Sequence, residues 1–259
     1  MNILFIGDVV GRPGRNAAAK LLPELIARVE ADLVVVNVEN AAGGAGMSKQ
    51  IHDQFVGLGA DVLTTGNHVW DRRDFVHEIQ DCDRVLRPAN YAPQVPGKGY
   101  IIIETDKGPA AVVNLAGRVY MPPADCPFRT ADRVLAELDP DVRVIIIDFH
   151  AEATSEKQAL GYYLDGRVTA VIGTHTHVPT TDAKVLPKGT AFLSDVGMTG
   201  PSHSVIGVHI QPVLSRFLTG MPHRFEPATG PTELNAVHVV SEPKTGKAEA
   251  LRPIHCELA

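Results

Sequence analysis

Five short apolar runs, each rich in branched aliphatic residues, constrain the fold of this chain most strongly. The runs are NILFIG, LVVVN, DVLTT, RVIIID and TAVIG, and longer stretches with helical character separate them. Continuous apolar strands that alternate with helices are typical of sheets with parallel pairing and helices over their faces. The sequence therefore predicts an α/β protein.

Helices are predicted between these strands and a different pattern follows them. The predicted helices are Asn16 to Glu30, a segment capped by Ser48 that ends near Gly57, a segment capped by Asp71 that runs to about Ile79, and Gln211 to Leu218. A hairpin is expected around Pro187 to Gly189, and NAVHVV and KAEALRPI are expected strands that form a second sheet or extend the first. Without a repeat or a linker, residues 1–259 are predicted to form a single domain.

Polar side chains follow each of the five predicted strands. Ligands in open α/β sheets bind beyond the carboxyl ends of the strands. One polar residue at such a place means little, but five successive strand ends that supply carboxylate, carboxamide or imidazole predict a metal site. The residues are Asp8, Glu39, Asn40, Asn67, His68, His150, His175 and His177.

The donor types in this set indicate the metals. Imidazole nitrogen with carboxylate and carboxamide oxygen, and no thiolate, suits Mn, Fe, Zn or Co. Without His68, the set holds seven candidate ligands, which exceed the need of one tetrahedral ion, and two ions that share a carboxylate fit the number better. In an extended segment His175 and His177 would point the same way and reach adjacent ions about 3.5–4 Å apart.

Three of these motifs resemble those of the calcineurin-like metallophosphoesterases. The family pattern is Asp-x-His, Gly-Asp-x-x-Asp, Gly-Asn-His-Asp/Glu, a lone His and Gly-His-x-His. Here GNH at residues 66–68 and the lone His150 are present, and THTH at residues 174–177 has Thr174 in the first position. The histidine expected two residues after Asp8 is absent, and Glu39 replaces the bridging aspartate. With GDVVGRPGR, DFHAEATSEK and LSDVGMTGP, the chain resembles the YmdB-like branch over nearly its whole length.

The resemblance implies a four-layer αββα sandwich of mixed sheets with two divalent or mixed-valence ions. Mn or Fe is expected, with Zn as an alternative. One ion would bind Asp8, Asn40, His177 and the shared Glu39, and the other would bind Glu39, Asn67, His150 and His175. The implied activity is hydrolysis of cyclic nucleotides, with 2′,3′-cyclic nucleotides favoured.

The expected mechanism uses a metal-bridging hydroxide as the nucleophile. His68 directly follows the candidate ligand Asn67, and an imidazole is the side chain best suited to donate a proton near neutral pH, so His68 is the predicted general acid. Arg12, Ser155 and Lys157 are weaker candidates for substrate binding, while the roles of Arg118 and Asp195 stay open.

Composition and charge limit the kinds of molecule that the chain is expected to bind. A net charge of −6 argues against broad binding of an RNA backbone, although an RNA substrate is not excluded. No apolar run is long enough for a membrane helix, and the first residues lack signal-peptide features, so a cytoplasmic location is expected. The sequence leaves open whether the chain forms a homo-oligomer.

Three other functions compete with this hypothesis. An amidohydrolase barrel also uses His-x-His, but there the pair follows the first strand, whereas here it comes late in the chain. A regulatory protein with a structural metal site would usually use thiolates in a closed tetrahedral site. Phosphomonoesterase activity is the nearest alternative, because the same ions serve both kinds of ester.

Overall fold

A computed structural model describes residues 1–258, which form fourteen strands and six helices. The strands are β1 (Asn2–Ile6), β2 (Asp8–Val9), β3 (Leu33–Asn37), β4 (Val62–Thr64), β5 (Val85–Leu86), β6 (Tyr100–Thr105), β7 (Gly108–Ala116), β8 (Val144–His150), β9 (Ala170–Thr174), β10 (Lys184–Val185), β11 (Ala191–Leu193), β12 (Met198–Pro201), β13 (Thr232–Ser241) and β14 (Ala248–Leu258). The helices are α1 (Gly11–Val29), α2 (Lys49–Gly57), α3 (Phe75–Glu78), α4 (Pro127–Glu137), α5 (Thr154–Tyr163) and α6 (Ile210–Thr219).

The strands form two mixed sheets. The first has the order β2-β12-β13-β1-β3-β4-β5, with β14 paired to β13, and β1, β3, β4 and β5 run parallel in it. The second has the order β10-β11-β9-β8-β7-β6, with β7, β8, β9 and β11 parallel. The apolar runs identified in the sequence thus divide between two sheets, and the late strands β13 and β14 extend the first.

Alternating side chains of each strand face two different cores, as the pleat of a strand requires. Ile3 and Phe5 of β1 lie between the sheets, opposite Val112 and Ile146 of the second sheet. Leu4 and Ile6 face outward against α1, α2 and the α3 region. The outer face of the second sheet packs in the same way on α4 and α5. The result is the four-layer αββα sandwich of mixed sheets that the resemblance implies.

Helices α1, α2, α3 and α6 correspond to the four predicted helices, but α1 and α3 begin at other residues than expected, and α4 and α5 are not among the predicted helices. Helix α1 begins at Gly11 rather than Asn16, because Pro13 lies in the first turn, where its missing N–H costs no hydrogen bond. Gly14 permits close packing of this turn, since a Cβ there would lie 2.2 Å from Thr199 O. The predicted helix from Asp71 to Ile79 is wrong: only Phe75–Glu78 is α-helical, and the Asp71 carboxylate accepts a hydrogen bond from His68 instead of capping a helix.

The remaining boundaries match closely. Ser48 caps α2 by accepting a hydrogen bond from Ile51 N, and α2 ends at Gly57. The predicted hairpin is formed by β10 and β11, and the last predicted helix is α6. Within residues 1–258, no helix combines the length and apolar character needed to cross a membrane.

Candidate metal centre

The two sheets bring their parallel strand ends to one place, and all seven candidate ligands lie there. Asp8 begins β2, Glu39 and Asn40 follow β3, and Asn67 follows β4. His150 ends β8, and His175 and His177 follow the neighbouring strand β9. A contact between the sheets supports this meeting of edges: Asn37 Nδ2, at the end of β3, donates to Asp148 Oδ2 of β8 over 3.0 Å.

One group of candidate ligands surrounds the buried His150. Its Nε2 atom lies 3.0 Å from Glu39 Oε1, 3.1 Å from Asn67 Oδ1 and 3.1 Å from His175 Nδ1. One ligand atom from each of Glu39, His150 and His175 falls within 4.8 Å of the other two. The four side chains that the resemblance assigns to one ion therefore meet in space.

A second group surrounds His177. Its Nδ1–H donates to Ile206 O over 2.9 Å, which leaves Nε2 as the atom with a free lone pair. That Nε2 lies 3.2 Å from Asn40 Oδ1 and 4.0 Å from Asp8 Oδ1. These are three of the four residues assigned to the other ion; the shared role of Glu39 stays a prediction.

Asp8 connects the two groups. Its Oδ1 atom is 3.9 Å from His150 Nδ1 as well as 4.0 Å from His177 Nε2, and its Oδ2 accepts the backbone N–H of His175. The carboxylate is completely buried. Asp8 therefore has contacts on both sides of the centre, a position that the sequence alone did not indicate.

The polar atoms at this centre fit divalent cations. Within residues 1–258, Asp8 Oδ1 and Glu39 Oε1 are buried and accept no hydrogen bond, although His150 Nε2 is close to Glu39 without the required alignment. A buried acceptor without a donor is costly, about 1–3 kcal/mol and more if charged. Oxygen and imidazole donors without thiolate match Mn, Fe, Zn or Co. A cation satisfies these atoms together.

Titration behaviour indicates the same preference for positive charge. Burial opposes protonation of His150, but the Glu39 carboxylate beside it raises the pKa of that imidazole to about 9. Burial raises the pKa of Asp8 to about 6. Burial and the charge on His150 lower the pKa of His175 to about 3. The centre therefore draws a proton to His150, and a metal ion competes with that proton for the ring.

The two histidines of the THTH motif differ from expectation in their backbone. Both residues have positive φ, 99° at His175 and 65° at His177. The segment is therefore not extended, whereas an extended segment was expected from the two-residue spacing of the histidines. Each such conformation costs a non-glycine residue about 1–3 kcal/mol. The consequence is that His175 turns toward His150 while His177 turns toward Asn40.

His68 lies at the rim of the centre with a partner of its own. Its Nδ1–H donates to Asp71 Oδ2 over 2.8 Å, and its backbone N–H donates to Glu39 Oε2. The imidazole is 37% exposed, so it can meet a molecule that arrives from solvent. Asp71, which the sequence assigned to a helix cap, instead orients this ring.

The glycine of the GNH motif allows a close approach between the sheets. A Cβ at Gly66 would lie 2.1 Å from His150 Cδ2 and 2.2 Å from His150 Nε2. Any side chain there would displace the imidazole ring. Gly66 is therefore part of the site because, without a side chain, it leaves room for the His150 ring.

A set of supporting polar residues was missed from the sequence. Thr174 Oγ1 lies 2.9 Å from His150 Nδ1 and donates to Asp148 Oδ1, while Asn37 holds the other oxygen of Asp148. Burial raises the pKa of Asp148. The signal that could have found it is a carboxylate near the end of the otherwise apolar run VIIID.

The three candidate substrate-binding residues have different positions. Arg12 lines an exposed groove of about 770 Å³ with Lys20 and Arg224, and Ser155 is exposed in the first turn of α5. Lys157 is only 1% exposed and donates to Thr174 O and Asp195 Oδ2. This corrects the expectation for Lys157: its ammonium group is engaged inside the protein and does not face a substrate.

Comparison with known proteins gives a consistent result. The family model described as YmdB-like protein matches residues 4–254. A Bacillus subtilis protein named 2′,3′-cyclic-nucleotide 2′-phosphodiesterase is 45% identical over 254 residues, which cover 98% of this chain and 96% of that protein. A solved Mycoplasma pneumoniae structure described as a novel phosphatase is 34% identical with a TM-score of 0.93, covering 99% of this chain and 93% of that one.

More distant structures share the fold alone. The calcineurin-like phosphoesterase YfkN from Bacillus subtilis is 13% identical, with a TM-score of 0.60 over 98% of this chain and 90% of that one. The predicted calcineurin-like sandwich is thereby confirmed. The indication of divalent metal ions comes from the donor set described above.

Proposed function

The chain belongs to the YmdB-like protein family, and from that premise we propose that it is a metal-dependent phosphodiesterase acting on 2′,3′-cyclic nucleotides. One observation carries the proposal: seven oxygen and imidazole side chains from two sheets meet at one buried centre, where two carboxylate oxygens accept no hydrogen bond from any of residues 1–258. The named activity of the 45% identical Bacillus subtilis relative supplies the substrate class.

The proposal assigns the seven side chains to two divalent ions, with Mn or Fe expected and Zn as the alternative. Glu39, Asn67, His150 and His175 would hold one ion, and Asp8, Asn40 and His177 would hold the other with Glu39 shared. Ions in such a centre supply Lewis acidity at a phosphoryl oxygen and a nucleophilic water near neutral pH. The support is the ligand-atom distances: 3.0–3.1 Å from His150 Nε2 in the first group, and 3.2 Å and 4.0 Å from His177 Nε2 to Asn40 Oδ1 and Asp8 Oδ1 in the second.

His68 supplies the proton that the reaction needs. In the cyclic diester one phosphorus–oxygen bond forms to water and one breaks, and the departing ribose oxygen must take a proton. The ring of His68 is exposed at the rim, and Asp71 accepts its Nδ1–H, which orients the ring and aims Nε2 away from that carboxylate. General acid catalysis of this kind contributes about 10²–10⁴-fold in rate.

The proposal treats residues 1–259 as one catalytic domain. Its support is that neither sheet carries a complete group of ligands: Glu39 and Asn67 come from the first sheet, while His150 and His175 come from the second. Arg12 and Ser155 remain candidates for contacts to substrate, and an RNA end that carries a cyclic phosphate remains within the substrate class.

A monoester substrate is the second candidate, because the Mycoplasma pneumoniae structure is described as a phosphatase. The two are separated by comparing kcat/KM for 2′,3′-cyclic nucleotides and for an aryl phosphodiester with kcat/KM for the matching aryl monoester. The proposal predicts that the diesters are the better substrates. Preference for the monoester, or turnover of 3′,5′- but not 2′,3′-cyclic nucleotides, would overturn the assigned substrate class.

A further inference from the structure

A buried ion pair lies behind the metal centre. Lys157 of α5 and Asp195, which follows β11, are each 1% exposed, and Lys157 Nζ donates to Asp195 Oδ2 over 2.8 Å. Neither side chain belongs to the seven candidate ligands. Removing two charges from water is expensive, and such a pair is often no more stabilising than apolar residues of similar size. Its presence calls for a role other than stability.

The contacts of the pair surround His175. Lys157 Nζ also donates to Thr174 O over 2.9 Å, and Asp195 Oδ2 also accepts Thr176 N–H over 3.0 Å. The residues immediately before and after His175 are therefore held by the two members of one ion pair. The second oxygen of Asp195 accepts the N–H of Gly197, which fixes the carboxylate in turn.

The segment that the pair holds has an unfavourable backbone conformation. His175 and His177 both adopt positive φ, which L-residues rarely do. This conformation sends His175 toward His150 and Glu39, and His177 toward Asn40 and Asp8. An extended backbone would point both imidazoles the same way, since side chains two residues apart share a face.

We propose that the Lys157–Asp195 pair is a positioning device that holds residues 174–177 in this strained conformation, so that His175 and His177 serve two different metal ions. The inference rests on the proposed metal-dependent function. Within residues 1–258, the side-chain hydrogen bonds of Lys157 and Asp195 reach no ligand side chain; the pair acts through the backbone of Thr174 and Thr176.

The test measures Mn(II) binding by metal-depleted protein, with free Mn(II) followed by its electron paramagnetic resonance signal. Lys157→Met keeps an unbranched side chain of similar length but removes the charge and both hydrogen bonds. Supporting residues around a metal site typically account for about 10–100-fold in metal affinity. We expect Lys157→Met to lose Mn(II) affinity in that range and to unfold cooperatively.

Lys49→Met is the matched control, because Lys49 pairs with Asp53 at 2.7 Å on the surface, and it should bind Mn(II) as the wild type does.

A double variant separates positioning from stability. Lys157→Met/Asp195→Leu replaces the pair with apolar residues, which should recover the thermal stability that the single variant loses. If the pair only stabilises the fold, Mn(II) affinity recovers with it, and the inference is overturned. If the pair positions the histidines, affinity stays low because Thr176 N–H and Thr174 O still lack their partners.

Other outcomes are also decisive. Should Lys157→Met not fold, the double variant and Asp195→Asn, which preserves side-chain volume, carry the same comparison. Wild-type affinity in any folded variant of the pair would overturn the positioning role and leave the proposed function standing. A wild-type protein that binds no Mn(II), Fe(II) or Zn(II) and hydrolyses no phosphodiester would overturn the proposed function itself.

Discussion

Thr174 Oγ1 lies 2.9 Å from His150 Nδ1, so the residue before the first motif histidine contacts a candidate ligand on the neighbouring strand. The same hydroxyl is 2.7 Å from Asp148 Oδ1. An ionised carboxylate only accepts hydrogen bonds, so Thr174 donates to Asp148 and accepts the Nδ1–H of His150. His150 Nε2 is then the unprotonated atom of the neutral ring, and it is the atom that faces Glu39 and Asn67. Thr174 thereby selects the tautomer that binds metal.

Replacement of Thr174 by valine tests this contact. Valine keeps the shape of the side chain but leaves His150 Nδ1–H and Asp148 without their shared partner. We expect metal affinity to fall about 10–100-fold, with a loss of about 1–3 kcal/mol in the free energy of unfolding. Metal titration and urea unfolding measure the two effects. Thr174→Ser, which retains the hydroxyl, should stay close to wild type; equal losses in both variants would contradict the assigned role.

Removal of the His68 imidazole should separate catalysis from metal binding. His68→Ala is expected to lower kcat by about 10²–10⁴-fold, because the leaving oxygen then lacks its proton donor. Metal content should be unchanged, since among residues 1–258 the ring hydrogen-bonds Asp71 and none of the seven candidate ligands. Elemental analysis and steady-state kinetics provide the measurement, and His77→Ala on the exposed face of α3 is the control. Loss of metal in His68→Ala would instead identify His68 as a ligand.

Adding one methyl group at Gly66 should damage the centre. A Cβ there would lie 2.1–2.4 Å from three atoms of the His150 ring, so the ring must move away from Glu39. We expect Gly66→Ala to lose at least one metal ion per chain and most of its activity. Gly57→Ala is the matched control, because, apart from its chain neighbours and its own helix backbone, no heavy atom of residues 1–258 lies within 4 Å of a Cβ at that helical position. A fully active, metal-replete Gly66→Ala protein would show that the ring position is not required.

Metal affinity should depend on pH because a proton occupies His150. The Glu39 carboxylate raises the pKa of this imidazole to about 9, above its ordinary value of 6.5, so the ring is protonated at neutral pH before metal binds. A metal ion needs the unprotonated nitrogen and displaces that proton. Affinity for Mn(II) should therefore rise about tenfold per pH unit between roughly pH 7 and 8.5 and level off above the pKa. Calorimetric titration in buffers of different ionisation enthalpy measures the released proton; constant affinity over this range would count against the His150–Glu39 contact.

The sequence placed the seven candidate ligands at one edge because each is a chemically distinctive side chain at or just after the end of an apolar run, and the structure brings these side chains together; their roles as ligands stay a prediction. Parallel strands deliver their ends to one edge, so Glu39 and Asn67 could be placed together without coordinates. The helix capped by Ser48 was predictable for a similar local reason, since the capping hydroxyl and the following residues are adjacent in the chain.

Features that depend on contacts between distant residues could not be predicted. In the sequence, Asp148 and Thr174 look like ordinary strand residues. Their contact with each other and with His150 follows only from the register between β8 and β9. In the sequence, Lys157 was a candidate cation near His150 for binding phosphate. Helix α5 instead places its side chain in the interior, where it pairs with Asp195. The positive φ of His175 and His177 is imposed by such contacts and contradicts the extended conformation that local sequence favours.

The most direct test of a two-metal phosphodiesterase centre is a titration of metal-depleted protein with Mn(II), with the rate of 2′,3′-cyclic nucleotide hydrolysis measured at each addition. The rate should be negligible at the start and should rise until two ions are bound per chain. In Glu39→Gln the same additions should produce little activity, because the carboxylate proposed to serve both ions is lost. Hydrolysis at the full rate in metal-depleted protein, or saturation of the rate with a single bound ion, would contradict the proposed centre.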